Sequence, residues 1–146
     1  MIEGEGGHVS FAARHADERA VLDVLQKQWG HVSAERFVSG PGLESIYHVM
    51  TGEADKTAAE IGAAAITADG AARDAVALMQ RAFATALANA ALTFGAGSGI
   101  VIAGGIMPKL IGLLPTSGFF ERLGDHGRRS QFLHDLPLYL SVDPYA

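Results

Sequence analysis

The chain has no cysteine among its 146 residues. That excludes disulfides, thiol catalysis and thiolate metal sites together, and it fits a reducing compartment. The chain also has no basic run, and its formal net charge is -5. Nucleic acid is therefore not an expected partner. The N-terminus, Met1-Ile2-Glu3-Gly4-Glu5, lacks both the basic and the apolar region of a signal peptide. Charge itself is missing between Arg81 and Lys109, a span longer than the roughly 20 residues a bilayer needs. Asn89, Thr93, Ser98 and several glycines interrupt this span, and it is rich in alanine, not leucine. It reads as a buried helix followed by a buried strand, with no membrane as partner.

Hydrophobic residues make up 49% of the chain and charged residues 18%, the balance of one globular domain with a real core. The stretch Gly95-Ala96-Gly97-Ser98-Gly99-Ile100-Val101-Ile102-Ala103-Gly104-Gly105-Ile106-Met107-Pro108 carries the most information. It reads as a turn, a strand over 100–103, a glycine pair and a helix start. The β-branched run without alternation predicts a strand covered on both faces. The glycine pair after it lets a ligand or another backbone approach, and ligands of open α/β sheets sit beyond the carboxyl ends of strands.

In chain order, Val9-Ser10-Phe11 alternates like a short strand. Asp17 is the expected N-cap of a helix ending near Gly30, with Val21, Leu22, Val24, Leu25 and Trp29 on its apolar face. Ser33 can cap a short helix that carries Glu35 in its first turn. Ser39-Gly40-Pro41-Gly42 reads as a loop that opens the helix 43–50. Thr57 with Glu60 is a capping-box signature for a helix over 58–67. A long alanine-rich helix follows over 71–94. Then come a helix to Leu114, a short helix over 119–123, a polar loop over 125–129 and a last strand over 137–142.

Glu5 and His8 stand among glycines, and Glu35 sits on a short helix. Carboxylates with a histidine can bind a metal, act as general acid and base, or hydrogen-bond a polyhydroxyl ligand. They can also be solvated charges around a loop. Glycoside hydrolysis by two carboxylates is a further option. A protein-held metal lacks a third ligand at motif spacing.

Four stretches together resemble one family. They are Glu5-Gly6-Gly7-His8-Val9, His31-Val32-Ser33-Ala34-Glu35-Arg36, Ser39-Gly40-Pro41-Gly42 and Ile102-Ala103-Gly104-Gly105-Ile106-Met107-Pro108. Their order and spacing resemble the bacterial glucokinases, ATP-dependent sugar kinases of the hexokinase/actin-like superfamily. The resemblance runs over essentially the whole chain. It implies an α/β fold: the larger, C-terminal lobe of the actin-like (ribonuclease H-like) architecture, helix-rich, with a small, incomplete mixed sheet. It implies that Glu5, His8 and Glu35 bind glucose, and that Ser39, Gly40, Gly104 and Gly105 lie along the nucleotide. It further implies ATP and Mg²⁺ as the intact enzyme's cofactors, the first step of glycolysis as its reaction and the cytoplasm as its location. The absence of cysteine disfavours the related zinc-containing branch.

The family's Asp-Gly-Gly-Thr phosphate loop and its Asn-Asp pair, which bears the catalytic base, do not occur in these 146 residues. The expectation is a lobe truncated at both ends, without the phosphate-loop lobe, holding no catalytic base and inactive alone. An unpaired sheet edge would make it associate as a dimer or higher oligomer. The alternative is a non-catalytic sugar- or nucleotide-binding module, such as part of a sugar-responsive regulator.

Overall fold

The computed structural model describes residues 4–141; Val142 of the expected last strand lies outside the described residues. The fold is organised around α5 (Ala71–Phe94). At 1.5 Å per residue it is about 36 Å long. Ala75, Val76, Leu78, Met79, Ala82, Ala84, Ala88 and Ala91 of this helix are all buried. Its small side chains let α3 (Gly40–Thr51), α4 (Ala58–Thr67) and α7 (Phe119–Gly124) pack closely on it. Gly95, in the left-handed region at φ 64°, ends the helix and returns its N–H to the Ala91 carbonyl. By length and composition α5 could cross a bilayer, and 56% of that apolar window is buried inside the fold.

The capping box of α4 forms as the sequence indicates. Thr57 N–H donates to Glu60 Oε2 at 2.8 Å, and Glu60 N–H donates to Thr57 Oγ1 at 3.3 Å. The donation from the Thr57 N–H is the leading reason the Glu60 carboxyl is held below its usual pKa.

The helix α1 (Ala16–Trp29) starts differently from expectation. His15, not Asp17, is at the N-cap. Glu18 reaches back instead, its Oε2 accepting from the N–H groups of Arg14 at 2.7 Å and His15 at 3.2 Å. Asp17 is drawn away to pair with Arg81 of α5. Of the predicted apolar face, Val21 and Leu25 are buried, whereas Val24 and Trp29 remain exposed.

The strand prediction at 100–103 needs two corrections. β1 (Ile100–Ile102) pairs with β2 (Leu138–Leu140) in parallel, with Ile100 opposite Leu138 and Ile102 opposite Leu140. The described sheet is thus a parallel pair, not a mixed sheet. It is also covered on one face only. Ile102 is buried, while Val101 is 65% exposed and Tyr139, opposite it, 55% exposed. An unbroken apolar run cannot distinguish a two-sided strand from a one-sided strand whose outer residue happens to be valine.

Other departures have local causes. The helix expected to reach Leu114 is α6 (Met107–Leu110) followed by a 3₁₀ stretch, Ile111–Thr116. Gly112 is a weak helix former and Pro115 has no N–H to donate. The expected polar loop at 125–129 holds a 3₁₀ turn, Gly127–Arg129, that leads into α8 (Ser130–His134). α8 is too short to show an apolar period. Val9–Phe11 forms only an isolated antiparallel bridge, Ser10 with Ser33. That bridge occupies Ser33, so Ala34, not Ser33, stands at the cap of α2 (Glu35–Val38).

Candidate functional site

The Ser10–Ser33 bridge brings the N-terminal loop to α2. Phe11 N–H donates to the Val32 carbonyl at 3.0 Å, and Ala34 N–H to the Val9 carbonyl at 2.9 Å. The buried rings of Phe11 and Phe37 stack with centroids 4.0 Å apart and fix this junction in the core. The result places the 3₁₀ turn Gly6–His8 against Glu35.

All three predicted sugar residues therefore meet. His8 Nδ1 lies 3.3 Å from Glu5 Oε2 and 3.7 Å from Glu35 Oε2. The carboxylates are open to solvent: the side chains of Glu5 and Glu35 are 86% and 57% exposed. Two acceptor-only carboxylates flanking an imidazole offer both sides of a hydrogen bond to a ligand with several hydroxyls. Among the described residues no group of three His, Asp or Glu is arranged to hold a metal.

His8 and Glu35 border a cleft of about 660 Å³. Trp29 and Leu25 of α1, His31, Ser33, Arg36 and the start of α3 complete its lining. The sequence reading placed Trp29 on the apolar face of the first helix and His31 and Arg36 in a family-like stretch, with no site role for any of them. Their signal was faint: one residue each from a helix end, an irregular connection and the four-residue helix α2.

The second group assembles at the start of α3. Ser39 is its N-cap, its Oγ accepting from the Gly42 N–H at 3.1 Å. The predicted loop Ser39–Gly42 is thus already the cap and first turn of α3, with Pro41 in that turn. Ile106, which directly follows the glycine pair, packs on Gly40: a Cβ there would lie 3.5 Å from Ile106 Cδ1. This contact ties Ile106, the residue after the glycine pair, to the start of α3. Both paired glycines are exposed, and a Cβ on either would meet open space. Gly104 alone needs glycine for its backbone, at φ 108°.

Away from the cleft, α1, α5 and α7 are tied by a buried polar cluster. Arg122 Nη2 lies 2.8 Å from Glu18 Oε1, and Arg122 Nη1 donates to Thr85 Oγ1 at 3.1 Å. Next to it, burial first and the Arg14 charge second push the His126 imidazole below its ordinary pKa.

A family model described as Glucokinase matches residues 1–146. The chain belongs to the glucokinase family. The glucokinase of Shigella flexneri serotype 5b (strain 8401) is 36% identical over 150 residues, covering 99% of this chain and 47% of that protein. The glucokinase of Chromobacterium violaceum is 37% identical over 150 residues, covering 99% of this chain and 43% of its own length. The crystal structure of a glucokinase from an Antarctic psychrotroph matches with a TM-score of 0.89 at 31% identity, over 97% of this chain and 46% of that one. The glucokinase of Balamuthia mandrillaris, solved in complex with glucose, matches with a TM-score of 0.82 over 98% of this chain and 44% of its own. At 18% identity that last likeness shows the fold alone. The chain spans less than half the length of each of these glucokinases.

Proposed function

We propose that this chain supplies the sugar- and nucleotide-facing surfaces of a cytoplasmic ATP-dependent glucose kinase, as the C-terminal lobe of an actin-like fold. The observation that carries the reading is the convergence of Glu5, His8 and Glu35 at one cleft. The reaction is ATP + D-glucose to ADP + D-glucose 6-phosphate. The sugar 6-hydroxyl attacks the γ-phosphorus, loses its proton to a base, and ADP leaves with the bridging oxygen. Glu5 and Glu35 accept hydrogen bonds from sugar hydroxyls, and His8 offers the complementary ring nitrogen. A sugar lacking one of these hydroxyls leaves a polar group unpaired and binds less well.

The nucleotide fits the exposed backbone of Gly104 and Gly105, where no Cβ occupies the space, and the following Ile106 packs on the α3 start at Gly40. Mg²⁺ would neutralise phosphate charge when bound. Among the described residues no group of three or more His, Asp or Glu is placed to hold it. The uncovered sheet face at Val101 and Tyr139 supports association of the chain with itself or with a second lobe.

Glu35→Ala is expected to weaken glucose binding about tenfold while ATP binding stays within twofold, both read by calorimetry. Because Glu35 is partly exposed, the loss falls at the low end, about 1.5 kcal/mol, of a hydrogen bond to a charged group. Equal losses for both ligands would make Glu35 structural.

Gly105→Val is expected to lower ATP affinity at least tenfold with an unchanged thermal midpoint. A Cβ at Gly105 has no protein atom within 4 Å, so the added side chain extends into space a ligand would use. Unchanged ATP affinity in the folded variant would assign the glycine pair to packing.

The 146-residue chain alone is expected to give no measurable glucose 6-phosphate in a coupled assay. Its only asparagine is Asn89, followed by Ala90, so it has no Asn-Asp pair to present a base. A base must stand about 2.6–3.2 Å from the 6-hydroxyl. Robust turnover would show that another residue of this chain is the base. Glucose binding without turnover is the expected result, and absence of both binding and turnover would overturn the sugar reading.

A further inference from the structure

The geometry points to a second compartment in the same cleft, beside the Glu5–His8–Glu35 triad, that binds a phosphate-class oxyanion. Arg36 is the residue that carries it. Its guanidinium carbon lies 4.0 Å from the centroid of the Trp29 ring. Arg14, Arg73, Arg81 and Arg122 each pair with a carboxylate. Arg36, like Arg19, Arg128 and Arg129, has no such ion pair among the described residues, and of these four it alone lies over an aromatic ring. A guanidinium held over a ring by its face keeps the N–H donors along its edge for another partner. Those donors form a fork that matches two oxygens of a phosphate.

The surroundings suit an anion. His31 lines the cleft with its Nε2 at 3.2 Å from Ser10 Oγ. Ser39 also lines it, and because its Oγ accepts the Gly42 N–H, its own O–H is left to donate. The lining carboxylate, Glu35, precedes Arg36 on α2. Consecutive helical residues diverge by about 100°, so the two side chains serve different walls. Glu35 Oε2 faces His8 accordingly. The cleft, at about 660 Å³, lies within the range of about 300–1,000 Å³ typical of small-molecule sites.

The oxyanion has two possible sources: free inorganic phosphate, or the phosphate of a phosphosugar such as the product of the proposed reaction. Only the second depends on the glucose-kinase reading. Trp29 is the chain's only tryptophan, so its fluorescence reports directly on the stacked arginine. The test titrates the chain with sodium phosphate and, separately, with glucose 6-phosphate, at ionic strength held constant with chloride. A saturable change in Trp29 emission is expected. Arg36→Met keeps the apolar stem on the ring but removes the fork, and should weaken the response at least tenfold. Arg36→Lys keeps a point charge without the fork and should fall between the two. Saturation by both ligands assigns a general oxyanion site; saturation by glucose 6-phosphate alone assigns a phosphosugar site. No saturable response to either ligand overturns the inference. So does an undiminished response in Arg36→Met or Arg36→Lys with unchanged far-ultraviolet circular dichroism. Glucose calorimetry on the same samples keeps the two readings apart. A phosphate response without glucose binding overturns the sugar assignment and leaves this compartment standing.

Discussion

Arg122→Met is expected to lower the unfolding free energy by about 3–5 kcal/mol, the cost of breaking one side of a buried ion pair. Glu18 and Arg122 are 0% and 4% exposed. They join α1 to α7, and Thr85 of α5 completes the cluster. Methionine fills most of the volume but leaves the Glu18 carboxylate buried and charged. Two backbone N–H groups still donate to Glu18 Oε2, so some solvation remains. Removing the charge as well, in Glu18→Gln with Arg122→Met, should recover part of the loss. Urea unfolding of the single and double variants measures this coupling. A midpoint unchanged in Arg122→Met would show that the pair contributes nothing to the fold. With total stabilities of about 5–15 kcal/mol typical of such domains, the single variant loses a large share, and α1 with Trp29 is the element expected to loosen first.

Gly42→Ala should damage both the fold and the cleft. A Cβ at Gly42 would lie 2.6 Å from the Arg36 carbonyl oxygen and 2.9 Å from the carbonyl carbons of Arg36 and Phe37. These are backbone atoms and cannot swing aside as a side-chain tip can. The first turn of α3 must therefore move away from α2, at a cost near 3 kcal/mol, the upper part of the usual range for overpacking. Glu35 and Arg36 move with α2, so glucose affinity should fall at least tenfold in whatever fraction stays folded. Gly40→Ala is the control for stability. Its Cβ would meet Ile106 and Ala58 at 3.5 and 3.7 Å, ordinary contact distances, and the thermal midpoint should hardly change. A Gly42→Ala protein as stable as the unaltered chain would show that the two helices are free to separate.

Much of the candidate site was legible before any coordinates. Glu5, His8 and Glu35 stood out because charged and titratable groups among glycines or on a short helix have few structural uses. The glycine pair stood out because it ends an apolar run. Arg36 and Trp29 did not stand out. Their pairing joins the last residue of one helix to the second residue of another across a turn through Gly30, at φ 72°. No periodicity within either segment encodes that contact. Gly42 was visible only as one glycine of a loop, since the Arg36 carbonyl beside it is brought there by the fold.

The sequence by itself determined the helical elements with a strong local code. The box of Thr57 and Glu60 started α4, and Gly70 and Gly95 bounded α5. These signals depend on backbone groups a few residues apart, which any folded or nascent chain presents alike. The tertiary structure decided everything that compares distant parts of the chain. It put His15, not Asp17, at the N-cap of α1, with Glu18 accepting from the Arg14 and His15 N–H groups and Asp17 paired to Arg81 of α5. It left one face of β1 open, because burial depends on what packs there and not on the hydrophobicity of Val101. It set the carboxylates of Glu5 and Glu35 around His8, because one antiparallel bridge and one stacked ring pair bring residues 8 and 35 together.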